Sequence, residues 1–338
     1  MASTPLGPSA RFNRDVHTTD DPMAAAVALR DGRLAVLPTE TVYGLGARAD
    51  MPRAVARIYA AKGRPADHPL IVHVAHASYL PEWGHPVPSY ATALARAFWP
   101  GPLTLVVPRT ARAGDFITGG QDTIAVRVSS HPGLQGVLRH LAAMIGDPAV
   151  GIAAPSANRF GQVSPTTAGH ALDELADVLD PDDVLLDGGP CEVGVESTIV
   201  DCTGTAPVVL RPGQVTAGAI ERAANVRMGH SSPVRTPGTL PSHYAPSARV
   251  IITSPQELAD RATLRTDASV GVIALADIAT PPGLVRLSEP VTSDDYARVL
   301  YAALREADAL RLTEVLAVPP PRDGVGAAVL DRLTRAAT

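Results

Sequence analysis

Aromatic residues are scarce: Phe, Trp and Tyr make up 4% of the 338 residues. A surface that stacks successive bases of a single strand needs such rings, so that class of protein is disfavoured. Positive charge is short as well, with Lys+Arg 29 against Asp+Glu 34 and a formal net charge of -5. A protein that coats RNA or DNA carries a basic surplus, so any polynucleotide contact here must be local. The only cysteines, Cys191 and Cys202, lack CxxC spacing, which argues against a zinc site or a redox pair and reads as reduced core thiols. No apolar run reaches the ~18 residues of a membrane span, and the Pro/Ser/Ala-rich start, Met1 to Asn13, has no signal-like stretch. The expected location is therefore the cytoplasm, with no membrane contact. The phosphate-loop pattern G-x-x-x-x-G-K-[ST] is also missing, so nucleotide phosphates would have to be held by side chains.

What is present is the balance of a globular chain, 46% hydrophobic and 19% charged, long enough for two domains of roughly 100 to 200 residues each. Asp20-Asp21-Pro22 caps an Ala-rich helix that Gly32 stops, and Arg33 to Leu37 reads as a buried strand entering a loop from Thr39 to Gly46. Helices are expected at Pro52–Lys62, Ser89–Phe98, Gly133–Met144 and Thr166–Leu179. Short apolar strands are expected at Leu70–Val74, Leu103–Val107, Thr123–Val128, Gly151–Ala154, Val184–Asp187, Ser197–Asp201 and Val208–Arg211. Periodicity fails from about Asn225 to Ser247, around the Pro/Gly/Ser-rich stretch Ser231 to Gly238. Strands at Arg249–Thr253, Val270–Leu275 and Leu284–Leu287 then alternate with helices at Pro255–Arg261, Ser293–Leu310 and Gly326–Ala336, indicating a small open α/β unit. The expected division is a catalytic domain over 13–225, a linker over 226–247 and a second domain over 248–338.

Gly44-Leu45-Gly46-Ala47-Arg48-Ala49 fits the loose dinucleotide pattern G-x-G-x-x-A, but Thr39 to Tyr43 separate it from the strand end, and the only acid about 20 residues on, Asp67, sits in a Pro-bounded loop. These glycines are expected to let a substrate approach the backbone. Lys62 and Arg64 are candidate phosphate holders; an ordinary helix-terminal cation would explain Lys62 but not Arg64 beyond Gly63. His68, His73 and His76 do not suggest a metal, since His73 and His76 would project to opposite faces of a strand. His73 is either a satisfied core histidine or a substrate hydrogen-bonder. Ser156 and Asn158 follow a strand whose carboxyl end is where ligands sit in open α/β sheets, although Pro-Ser-Ala-Asn also makes an ordinary turn. Arg127 inside a buried strand needs a partner or a ligand carboxylate, and an anion clamp is the economical reading. Ser197 and Arg211 lie at strand ends, where loop roles are equally open.

Taken together, PTETVYGLGA, KGRPADHPLIVHV, WPGPLTLVV, TIAVRV, APSANRFGQVSPT, GVESTIVD, LRPG, PGTLPSHYAP and GVGAAVLDRLTRAA resemble the Sua5/YrdC/YciO family of L-threonylcarbamoyladenylate synthases, in its two-domain form. The resemblance implies a YrdC-like twisted mixed sheet with helices and a concave ligand surface, followed by a small Rossmann-like α/β domain. It implies a nucleotidyltransferase in which the carbamate of L-threonine and bicarbonate attacks the α-phosphorus of ATP, with Mg²⁺ accompanying the triphosphate. A transferase complex downstream would pass the threonylcarbamoyl group to tRNA. By similarity Thr41, His73, Arg127, the backbone at Ala154, and Ser197 would surround threonine. Arg64, His68, Thr123, Ser156, Ser164, Arg211 and Tyr244 would contact ATP, and Lys62, Arg64, Ser156 and Asn158 would be catalytic. His68 stands where many members have Asn, and Thr239-Leu240-Pro241-Ser242 departs from the family's usual linker, while His243-Tyr244-Ala245-Pro246 is intact. The linker is expected to act as a lid. Two rivals share the fold: an RNA-binding or ribosome-assembly factor, and a carbamoyl-transfer module, the latter disfavoured because its zinc-finger CxxC segments are missing.

Overall fold

The computed structural model describes residues 16–238, 244–262 and 269–338. Expectations that fall on 13–15 and on 239–243, His243 included, lie outside them. In chain order the first sheet is built from β1 (His17–Thr19), β2 (Ala35–Leu37), β3 (Gly44–Arg48), β4 (Ile71–His73), β5 (Leu103–Pro108), β6 (Thr123–Arg127), β7 (Ile152–Ala153), β8 (Val184–Leu186), β9 (Thr198–Asp201) and β10 (Val208–Arg211). Its strand order is β1-β8-β2-β3-β7-β4-β6-β5-β9-β10, with parallel and antiparallel neighbours mixed. The helices between these strands are α1 (Pro22–Arg30), α2 (Pro52–Lys62), α3 (Leu80–Trp83), α4 (Ser89–Phe98), α5 (Asp115–Thr118), α6 (Pro132–Ile145), α7 (Ala168–Leu175) and α8 (Ala217–Ala224).

Alternation along β2 explains how both faces of this sheet come to be covered. Leu34 and Val36 join the core that α2, α4 and α8 share, whereas Ala35 and Leu37 join the core of α1 and α6. Both helices of the second set start from side-chain caps: Asp21 accepts from the Met23 amide to open α1, and His131 accepts from the Gly133 amide to open α6. Helix α2 ends at Gly63, whose φ of 61° only glycine adopts without strain, and the turn there sends Arg64 back across the helix end.

The second sheet orders β11 (Arg249–Ile252), β14 (Glu314–Ala317), β12 (Val270–Ile273) and β13 (Val285–Ser288), all parallel. Helices α9 (Pro255–Ala262), α10 (Ser293–Ala309) and α11 (Gly326–Ala336) connect and flank it. Thr292 and Asp295 form a reciprocal capping box that fixes where α10 begins.

Besides the one-turn helices α3 and α5, three elements escaped the sequence reading. β1 has no apolar alternation and exists by pairing with β8. Helix α8, capped by Thr216, is rich in small residues. β14 is the central strand that completes the second sheet. The Thr39–Gly46 segment also differs from expectation: it is not all loop, because Gly44–Arg48 forms β3, antiparallel to β2. Gly46 is there for packing rather than for a substrate. A Cβ on it would lie 2.7 Å from Leu37 Cδ1 and 3.0 Å from Ile152 Cγ2. Gly46→Ala should therefore lower stability by about 1–3 kcal/mol, seen as a reduced urea midpoint at unchanged slope. An unchanged midpoint would mean that Leu37 and Ile152 give way freely.

Candidate active site

One cavity collects most of the chemistry-bearing side chains singled out above. It is lined by Thr41, Lys62, Arg64, His73, Arg127, Ala154, Ser156, Asn158, Ser197, Arg211 and Tyr244. Sheet register brings the central ones together. His73 and Arg127 end the parallel strands β4 and β6 as direct neighbours, and Thr104 of β5 stands opposite Arg127. Thr104 and Ser197 share a hydrogen bond of 2.8 Å between their hydroxyls. The Pro155–Ala157 loop is stitched to the start of β3, since Leu45 donates to the Pro155 carbonyl and Ala157 to that of Tyr43.

The cations are buried, and each is compensated differently. Arg127 is paired with Glu40 at 2.8 Å and donates to Thr41 Oγ1 at 2.9 Å, while Glu40 also accepts from Ser129. The guanidinium is thus not the free clamp that the sequence suggested, and its partner is internal. Burial pushes the Glu40 carboxyl up, but the Arg127 charge and the Ser129 hydroxyl outweigh it and hold Glu40 ionised below its usual range. Lys62 Nζ donates to the carbonyls of Ser156, at 2.6 Å, and Asn158. Burial and then the Arg64 charge drive its pKa well down. Arg64 donates to the Pro69 carbonyl at 3.0 Å and lies over the Phe160 ring; burial lowers it to about 10. Arg211 donates Nε and Nη2 to the Ser197 carbonyl and Nη1 to that of Pro237.

His68, Thr123 and Ser164 are not part of the lining. His68 packs edge-on against Phe160, just outside Arg64. Thr123 is at the far end of β6 from Arg127. The Ser164 hydroxyl is turned to Glu196 Oε1 at 2.6 Å. The linker reaches the cavity through Pro237, Gly238 and Tyr244, and Val234 packs on an apolar floor of Ile71, Val106, Ala125 and Ile199. The free space in the cavity is about 50 Å³, room for a few waters.

Residues 27–213 match the family model described as "Telomere recombination", and residues 214–338 match the "Threonylcarbamoyl-AMP synthase, C-terminal domain". The chain is similar to the threonylcarbamoyl-AMP synthase of Pyrococcus abyssi, 38% identical over 92% of each chain. It is equally similar to that of Bacillus subtilis, 38% identical over 96% of this chain and 95% of that one. The crystal structure of P. abyssi Sua5 complexed with L-threonine superposes with a TM-score of 0.82 at 37% identity, covering 95% of this chain and 97% of that one. The chain belongs to the threonylcarbamoyl-AMP synthase family.

Against that family background, the most informative residue missed by sequence reasoning is Glu196. It lines the cavity, is 5% exposed, and accepts hydrogen bonds from Ser164, Tyr301 and Arg332. Burial raises its pKa, but the Arg332 and Arg211 charges more than cancel this and bring it to about 2. Its position in Gly-Val-Glu-Ser was the available signal, since a carboxylate inside an apolar run needs buried partners. Thr39, Gly44, Ile71 and Phe160 also line the cavity without having been named as site residues.

His73 is fully enclosed, and burial followed by the Arg127 charge lowers its pKa to about 3 from an ordinary 6.5. Between those values the unfolded chain binds a proton that the native state refuses, so stability rises with pH across that window. His73→Gln should remove this dependence. It should stabilise the protein relative to wild type by on the order of 2 kcal/mol more at pH 5 than at pH 8, read from urea midpoints. Parallel pH profiles for the two proteins would show that His73 is not held neutral.

Proposed function

We propose that the protein is an L-threonylcarbamoyladenylate synthase, forming threonylcarbamoyl-AMP and pyrophosphate from L-threonine, bicarbonate and ATP for the threonylcarbamoyladenosine modification of tRNA. The observation that carries this reading is one cavity shared by His73, Arg127, Ser197, Lys62, Arg64 and Arg211, in a chain 38% identical to a threonylcarbamoyl-AMP synthase over 92% of its length. In reaction class it is a nucleotidyltransferase. The threonine amine adds to the carbon of bicarbonate with loss of water, and the carbamate oxygen so formed attacks the α-phosphorus as pyrophosphate leaves.

The work assigned to the chain is positioning and charge stabilisation. Threonine would lie against Thr41, His73, Arg127, Ser197 and the backbone at Ala154. Neutral His73 offers one donor and one acceptor. Arg127, already paired with Glu40, would meet the carboxylate with its remaining donors. Arg64, Ser156, Arg211 and Tyr244 would hold the nucleotide, with His68 at the outer edge; Thr123 and Ser164 would act only after a rearrangement. An arriving triphosphate would supply the anion that buried Lys62 lacks and so favour its charged form. Mg²⁺ fits as an ion carried by the phosphates: Glu40 and Glu196 are both engaged by protein donors, and no cluster of three acidic, His or Cys ligands occurs among the described residues. The downstream partner would be a threonylcarbamoyl transferase complex, with tRNA contact confined to a local patch.

Adduct formation should require bicarbonate and threonine together, followed as pyrophosphate release and an AMP adduct by mass. Equal ATP cleavage without threonine would defeat the synthase reading. Lys62→Ala and Arg64→Ala should each slow turnover 10²–10³-fold, about 2.7–4 kcal/mol of transition-state stabilisation, in folded protein. Arg127→Lys should weaken threonine binding more than ATP binding, because an ammonium cannot reproduce the guanidinium fork; equal losses would contradict the assignment.

The small free volume, lined by Pro237, Gly238 and Tyr244 of the linker, supports a lid role in which that segment would move to admit ATP. ATP plus threonine should then slow proteolysis between Pro233 and Pro246. Cleavage indifferent to ligands would argue against a lid.

A further inference from the structure

Among the described residues, the second domain contributes none to the lining of the cavity beyond the linker, yet it grips the wall. Tyr301 of α10 donates its hydroxyl to Glu196 Oε2 at 2.9 Å, and Arg332 of α11 donates Nε to the same oxygen at 2.8 Å. Both are fully buried. Arg332 also donates to the Pro212 carbonyl at 3.0 Å, immediately after Arg211, and its guanidinium lies 5.3 Å from the centre of the Tyr244 ring. Tyr301 stacks on the same Tyr244 ring, with centroids 5.6 Å apart and planes at 29°. Two residues of one domain thus touch the three polypeptide segments that meet at the nucleotide end of the cavity: the Glu196–Ser197 turn, the Arg211–Pro212 strand end and the linker.

The grip is rigid for reasons visible around it. Gly194 has a φ of 81°, and a Cβ there would lie 2.4 Å from the Ala297 carbonyl oxygen, so the wall rests directly on the backbone of α10. Arg298 donates to the Glu192 carbonyl, and Arg305 pairs with Glu174 of α7 at 3.0 Å. Val42, Val163, Val193 and Val195 from the first domain share one apolar core with Tyr296, Leu300, Leu304 and Val329 from the second. With that much dry contact, the two domains are held to one another by a shared apolar core.

We propose that Tyr301 and Arg332 are positioning residues: through Glu196, Pro212 and Tyr244 they set the Ser197–Arg211 wall and the seat of the linker for nucleotide binding. This rests on the functional reading above. A merely adhesive role would be felt in stability alone. A positioning role changes how ATP is bound by protein that is fully folded.

Tyr301→Phe keeps the ring stack and deletes only the hydroxyl, and Arg332→Lys keeps the charge but loses the second bond and the planar contact. In each variant the KM for ATP should rise about tenfold, the scale of one hydrogen bond to a charged group, while the KM for threonine changes less than threefold and the melting temperature stays well above that of the assay. The double variant Glu196→Gln with Tyr301→Phe should be no worse than the poorer single one, since both cut the same connection. Without ligand, the linker of Tyr301→Phe should be cleaved faster than that of the wild type by a protease at limiting concentration. Wild-type KM for ATP and wild-type linker cleavage in both single variants would overturn the proposal. So would losses that track the folded fraction equally for ATP and threonine. If the wild type itself makes no adduct, the functional reading fails, and linker cleavage alone decides whether Tyr301 and Arg332 seat the linker.

Discussion

Burying several cations around one small space is the constraint that shapes this molecule. Lys62, Arg64, Arg127 and Arg211 are each less than a tenth exposed and line the same cavity. Each desolvated charge must be compensated or neutralised. Among the described residues, Arg127 is the one of these four in an ion pair, with Glu40. Lys62, Arg64 and Arg211 are met instead by backbone carbonyls of Ser156, Asn158, Pro69, Ser197 and Pro237. Carbonyl dipoles satisfy donors without supplying a countercharge, which leaves a part for an anionic ligand to play. This explains why the residues supplying those carbonyls sit in tight loops at strand ends rather than in the strands themselves.

Much of that arrangement was legible in the chain. The buried strands carrying His73, Arg127 and Arg211 announce themselves as the apolar runs Leu70–Val74, Thr123–Val128 and Val208–Arg211, each with one conspicuous polar residue in or at the end of it, and α2 by its Gly63 stop. What could not be read was partnership. Nothing local in PTET tells that Glu40 will meet Arg127, because the pairing depends on β6 arriving beside β4. Nor does Gly-Val-Glu-Ser tell that Glu196 will be held by α10 and α11 from more than a hundred residues away. β3 was hidden for a different reason: its glycines have the composition of a turn, and only the crowding of Leu37 and Ile152 around Gly46 reveals a strand. Ser164, expected to contact ATP, is turned to the Glu196 carboxylate instead of into the cavity.

Two of the apolar cores divide the labour of the fold unequally. The core under β2, β3 and α2 is made wholly of first-domain residues, so the catalytic strands are braced by their own helices. The second core is mixed and incorporates Val42, the residue next to Thr41, together with Tyr244 of the linker. A substitution in the hydrophobic interior of the second domain is therefore transmitted to the mouth of the cavity by packing, without any change in charge.

The strand order of the first sheet has a consequence for how the chain is made. β8 lies between β1 and β2, β7 separates β3 from β4, and β9 covers the outer edge of β5. Each of these later strands inserts beside elements synthesised long before it. As the polypeptide leaves the ribosome, its early strands must therefore wait with unpaired edges until residues near Ile152, then Val184, then Thr198 emerge. Such non-local pairing makes folding slow and leaves nascent sheet exposed to wrong partners. A cell that makes this protein must hold the unfinished sheet apart from its neighbours until those last strands close it.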